Sequence, residues 1–398
     1  VRNPAAAVVV LAGVAAALHV GKLPPALPAL QQAFGLGLVQ AAFLLSAVQA
    51  AGMLLGLAGG ALADALGARR SVLLGLGLLA LASAAGAMAT SAMPLLLLRS
   101  IEGAGFMLAV LPAPGLVRRL AAPGSESTWL GIWGGYMPAA TALALLLGPA
   151  VVALAGWPAW WLALAAASLL ALGAVARWVP ADARRPRGAA ADSGPFFAAW
   201  SARVRATLSC PGPWAVALAF GAYSAQWLAV VGFLPLLASA GALRQEASIA
   251  APLTAVVAAA NILGNLAGGR LLQRGVAAPR LLAAGFAAMS ACAVLTFAEL
   301  GQGPTLRWAA VGTFSACGGL IPATLFATAL RLAPSPATQA STVGWMQQGS
   351  SFGQFAGPPA VAALAAAMGG WQWSWLVLGA GSAIGLLATT WIAALLRR

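Results

Sequence analysis

The chain has 398 residues, 62% of them hydrophobic and only 7% charged, with a mean hydropathy of +0.91. A soluble fold of that composition would expose large apolar patches, so the bilayer is the expected solvent. The formal net charge of +14 would suggest nucleic acid in a soluble protein, but the charges fall in alternate loops between apolar runs, and nucleic-acid binding is not required.

A spanning helix needs about 20 apolar residues, and twelve such runs follow one another. The first six are expected at 6–30, 37–62, 71–90, 94–117, 128–152 and 157–178. The next six are expected at 211–238, 247–269, 279–300, 305–330, 338–366 and 371–395. The first run continues past Lys22 and Pro24 to Leu30 without a cleavage signal and reads as a retained helix. Apart from Arg99, Arg244 and Arg307, the arginines fall on one side of this layout. That bias predicts a bacterial inner (plasma) membrane protein, multi-pass, with both termini cytoplasmic.

Cys210, Cys292 and Cys317 are widely spaced and predict packing rather than disulfides. A single histidine excludes a multi-histidine metal site, and neither a metal nor a cofactor is expected. The chain also lacks a nucleophile placed beside a credible base and a nucleotide-binding glycine loop, so neither an enzyme nor an ATP-driven pump is expected.

Sliding the sequence on itself by about 210 residues aligns local patterns. G-K-L-P at 21–24 meets G-F-L-P at 232–235, L-A-G-G at 57–60 meets L-A-G-G at 266–269, and G-P at 148–149 meets G-P at 357–358. The chain therefore divides into an N-terminal six-helix bundle (1–178), a linker (179–210) and a C-terminal six-helix bundle (211–398). Within the basic linker, expected on the cytoplasmic side, Phe196, Phe197, Trp200, Val204 and Leu208 form one helical stripe beside Arg203 and Arg205. That pattern suits either an interfacial helix or a solvated loop.

From Gly60 to Arg70 the sequence reads G-A-L-A-D-A-L-G-A-R-R. It resembles the signature loop of the major facilitator superfamily, with Gly60, Asp64, Gly67, Arg69 and Arg70 matching and Ala65 and Ala68 replacing two usually basic positions. R-S-I-E-G-A-G-F at 99–106 is similar to that superfamily's fourth-helix pattern, with Glu102 in place of Gln. The resemblance implies an all-α membrane fold of twelve transmembrane helices in two pseudo-symmetric bundles. It also implies secondary transport by alternating access, with Gly60, Asp64, Gly67, Arg69 and Arg70 as a conformational latch. After Gly148-Pro149 the glycines typical of drug/proton antiporters are missing. The segments 130–138, 220–228 and 344–353 look more like the cyanate and nitroimidazole permease branch.

Ionisable groups inside a membrane mark function by default. Lys22 is the only lysine and His19 the only histidine; three residues apart, they share a helical face. At about 1.5 Å per residue, Lys22 on the first helix and Glu102 on the fourth both lie roughly 12 Å below the outer face and can meet. One reading makes Lys22 and His19 substrate-facing, with His19, Arg99 and Glu102 as the proton-coupling or charge cluster. The other makes the pairs with Glu102 packing salt bridges. The remaining substrate candidates are Tyr136, Tyr223, Gln226, Trp227, Asn261, Trp345, Gln347 and Gln348. Together they predict a monomeric transporter of a small, organic or inorganic anion, with or without a coupled proton. The alternatives are a drug or metabolite exporter and, less favoured, a non-transporting receptor.

Overall fold

The computed structural model describes residues 4–123, 125–182 and 193–397, and all its regular elements are helical. Ten stretches are long and apolar enough to cross a membrane. One of them, Tyr136–Trp178, is two spans, because Gly156 at φ 79° turns the chain back where a side chain would be strained. The 29-residue helix Gln339–Ala367 is more polar and completes the twelve. The protein is thus a multi-pass membrane protein of twelve spanning helices in two six-helix bundles.

The first span is two helices, α1 (Ala5–Gly21) and α2 (Leu23–Phe34). Pro24 and Pro25 remove the donors that would serve the carbonyls of Val20 and Gly21, so the chain breaks at Lys22. The Trp160 indole donates to the buried Lys22 carbonyl at 3.0 Å. The second span joins α3 (Leu38–Ser46) to α4 (Ala50–Leu66) through a 3-10 turn, and α5 (Ala68–Gly86) is the third. In the fourth, α6 (Ala92–Val110) meets α7 (Ala113–Leu120) at Pro112; the carbonyl that Pro112 leaves free, Leu108, accepts the Ser71 hydroxyl at 2.8 Å. The fifth and sixth are α8 (Glu126–Gly134) with α9 (Tyr136–Trp178), turning at Gly156.

In the linker, α10 (Ser193–Leu208) packs on the helix that follows and beside the start of the eleventh span. Trp200, Val204 and Leu208 are half-buried there, while the side chains of Phe196 and Phe197 lie outside those described. The seventh to ninth spans are α11 (Pro211–Ala240), α12 (Ala247–Gln273) and α13 (Ala278–Phe297). The tenth joins α14 (Pro304–Gly318) to α15 (Leu320–Leu332), and α16 (Gln339–Ala367) and α17 (Ser374–Leu396) finish the chain.

Small residues set the tightest crossings. Gly349, Gly353 and Gly357 of α16 lie against Ala217, Gly221 and Ala225 of α11; a Cβ on Gly349 would sit 2.6 Å from the Ala217 carbonyl. The repeat partners on α9 are Ala140, Ala144 and Gly148, which receive Gly21 and Pro25 of the first span. One end of the molecule is sealed where α2 packs against α11 and α3 against α11 and α16, with Leu27, Leu30, Leu45, Leu234 and Leu237 all fully buried. The Arg-rich end is open.

Candidate functional site

Between the halves lies a cavity of about 850 Å³. Its walls run from mid-membrane to Pro114, Arg270, Gln273, Leu330 and Val343, next to the arginines at 118, 119, 274 and 331, so it opens on the Arg-rich side. Val20, Val48 and Leu228, with Phe106 and Met137 against them, close its inner end.

The three segments singled out in sequence converge here. Trp133, Tyr136 and Met137 come from the first, Phe220, Tyr223 and Trp227 from the second, and Gln347, Ser350 and Ser351 from the third. Tyr136 stacks on Trp133 at 4.4 Å between ring centroids, and Phe220 lies parallel to Tyr223 at 6.1 Å. Asn261 joins Tyr223 to the tenth span: its amide nitrogen donates to the Tyr223 hydroxyl and to the Ser315 carbonyl, both at 2.9 Å. Among the described lining residues the only charged one is Arg270, at the mouth.

Lys22, His19, Arg99 and Glu102 come together, but not in the cavity. All four are buried within the N-terminal bundle at 0–1% exposure. The Lys22 ammonium pairs with one Glu102 oxygen and donates to Ser83 Oγ at 2.9 Å, above the ring of Trp161. Arg99 pairs with the other Glu102 oxygen and with the His19 carbonyl, both at 2.6 Å. His19 Nδ1 lies 3.4 Å from the Lys22 ammonium and Nε2 lies 2.8 Å from Ser168 Oγ. The tautomer with hydrogen on Nε2 satisfies both contacts.

This corrects the expectation that Lys22 and His19 touch substrate. The reason is helical phase: at roughly 100° per residue, Val20 lies about 100° from His19 and 160° from Lys22. Val20 takes the cavity face, so the His19 and Lys22 side chains point to the third, fourth and sixth spans. Depth along the helix puts Lys22 and Glu102 level, but depth carries no azimuth.

Of the other candidates, Tyr136, Tyr223, Trp227, Asn261 and Gln347 line the cavity, and Gln226, Trp345 and Gln348 do not. Gln226 accepts from Ser382 Oγ at 2.9 Å inside the C-terminal bundle, and Trp345 packs edge-on against Trp214. Gln348 bridges the halves: its Nε2 donates to the Met53 carbonyl at 2.8 Å and its Oε1 accepts from the Leu57 amide at 2.9 Å. Those two backbone groups are four residues apart and would pair with each other in an uninterrupted helix.

In the segment 60–70, expected to act as a latch, Gly67 takes φ 90° at the start of α5. Asp182, beyond the end of the sixth span, accepts from the Arg69 and Arg70 amides at 3.0 Å each, and the Arg69 guanidinium donates to the Ala176 carbonyl at 2.7 Å. A carboxylate on two amides of a helix N-terminus is a favourable anchor. The side chains of Gly60 and Asp64 lie outside those described. Asp182 had no sequence signal beyond being an acid in a basic linker.

The fold is similar to the crystal structure of a Major Facilitator Superfamily transporter, FucP, in the outward conformation. The TM-score is 0.64 with 97% of this chain and 98% of that chain covered; at 19% identity the likeness is one of fold. No curated protein matches the sequence. The sequence pattern of the Major Facilitator Superfamily matches residues 8–358, most of the chain, and this protein therefore belongs to that superfamily of transporters.

Proposed function

We propose that the protein moves a small organic anion across a bacterial inner membrane, with the Arg-rich side and both termini in the cytoplasm. The bundles 1–178 and 211–398 then rock about the cavity, joined by the linker 179–210, and the structure corresponds to the inward-open arrangement. The observation that carries the reading is charge. The described cavity lining has no acid and one base, Arg270, and behind its wall two cations, Lys22 and Arg99, face one carboxylate, Glu102. In a region of low dielectric that excess favours an anion and opposes a cation.

The neutral lining suits an organic body. Gln49, Asn265, Gln347 and Gln354 offer amides, and Phe106, Trp133, Trp227 and Phe326 offer apolar faces. That the three permease-like segments all reach the cavity supports placing the chain near the cyanate and nitroimidazole branch. Lys22 acts on the substrate through the field of the cluster, and His19 holds Lys22 in place. Because His19, Arg99 and Glu102 tie the first span to the fourth, they are also the proposed route by which a proton is coupled to movement.

A thermal-shift screen tests the reading, since a ligand that binds the folded state raises the melting temperature. Small organic anions are expected to stabilise the purified protein, and lipophilic cations to leave it unmoved. Stabilisation by cations alone would replace the anion reading with that of an exporter. In proteoliposomes, coupling predicts that substrate entry carries protons; uptake with no pH change would overturn proton coupling.

A further inference from the structure

The hydrogen bonds around Asn261 have a direction. The Ser315 carbonyl can only accept, so the Asn261 atom 2.9 Å from it is the amide nitrogen, and the same nitrogen is 2.9 Å from the Tyr223 oxygen. On its other side, Asn261 Oδ1 accepts from the Asn265 amide nitrogen at 2.9 Å. Flipping the Asn261 amide would set two acceptors against each other at Ser315 and two donors against each other at Asn265. The Tyr223 oxygen is therefore an acceptor within the wall, which leaves its own hydrogen to be donated elsewhere. Tyr223 lines the cavity at 5% exposure, with Phe220 stacked on its ring.

We propose that Tyr223 is the specificity-determining donor of the cavity, at the end of a relay from Asn265 through Asn261, and that it reads a carboxylate oxygen on the substrate. The proposal rests on the anion reading and deepens it: the field selects the charge, and Tyr223 selects where the acceptor sits. A hydrogen bond to an ionised acceptor is worth roughly twice one to a neutral acceptor, so the relay favours a carboxylate over the alcohol of the same skeleton. Each relay member polarises the next in the same sense. The adjoining aromatic rings point to an aromatic or other apolar group beside that carboxylate.

Binding of benzoate and of benzyl alcohol to the purified full-length protein, followed by titration calorimetry, tests this. Wild type is expected to prefer benzoate. Tyr223→Phe should weaken benzoate about tenfold and leave benzyl alcohol within about twofold, because only the charged acceptor gains strongly from the lost donor. Asn261→Leu is the second variant. It adds no charge, removes the amide that holds the Tyr223 oxygen as an acceptor, and should lower benzoate affinity while leaving that for benzyl alcohol within about twofold; an unchanged benzoate affinity would overturn the relay. If Tyr223→Phe binds benzoate as wild type does, the assignment of Tyr223 falls and the anion reading stands. If wild type prefers benzyl alcohol, or does not bind benzoate, both fall.

Discussion

The two halves share a helix scaffold and fill it differently. The N-terminal half buries Lys22, Arg99, Glu102 and His19 among its first, fourth, third and sixth spans. In the C-terminal half, the G-F-L-P repeat sets Phe233 at the position of Lys22 (233 − 22 = 211), and Phe233 packs on Trp371 instead. One link survives in both. The offset between Trp161 and Trp375 is 214, which carries Ser168 to Ser382; Ser168 meets His19, and Ser382 meets Gln226 one turn from the matching site. A serine of the last helix thus grips a polar side chain of the first helix in each half. The N-terminal half adds charge to a contact that the C-terminal half makes with neutral groups. The lesson is that the N-terminal core is an all-or-none unit, whereas the C-terminal one is a set of separable contacts.

The largest expected effect comes from breaking that unit. Glu102→Gln leaves Lys22 and Arg99 buried without a counter-charge and should lower stability by about 3–5 kcal/mol. The charge-conserving double variant Lys22→Met with Glu102→Gln keeps one net cation, as in wild type, and should recover most of the loss. Thermal unfolding in detergent checks both. A double variant as unstable as the single one would mean that the cluster does not work as a balanced pair.

A smaller effect is expected on the other side of the comparison. Gln226→Leu removes the partner of Ser382 but strands no charge, so a cost of about 1–2 kcal/mol is expected in the same assay. A loss equal to that of Glu102→Gln would erase the difference between the two cores.

What was readable in the sequence divides along physical lines. The number of spans, the repeat and the level of Lys22 with Glu102 follow from hydropathy and rise per residue, both properties of one helix at a time. The face that Lys22 presents is decided by what else the first span must touch, and Val20 takes the seat at the centre. The break at Lys22 was half visible in Pro24 and Pro25, but the indole that bonds the Lys22 carbonyl belongs to Trp160, 138 residues away. Asp182 and Gln348 act on backbone groups of distant helices, and no periodicity marks a residue that bonds to another helix's main chain. The aromatic and amide wall was more legible, because Tyr136, Tyr223 and Asn261 are scarce types in an Ala- and Leu-rich chain, and Trp227 and Gln347 lie close to such residues or to other amides in sequence.

The smallest energetic effect is expected where the two halves meet. Gln348 inserts its amide between the Met53 carbonyl and the Leu57 amide, and Gly56 makes room: a Cβ there would lie 2.9 Å from that of Gln348. When the halves part, those two backbone groups can pair with each other, so the contact exchanges one set of hydrogen bonds for another. Gln348→Leu should therefore change stability by less than about 1 kcal/mol, while removing a contact specific to this arrangement. Spin labels at Ala58 and Gln339, on the Arg-rich ends of the second and eleventh spans, should report a broader and longer distance distribution in the variant. An unchanged distribution would show that the halves are held together elsewhere along α4 and α16, and that the unit of movement is the whole packed face rather than one inserted amide.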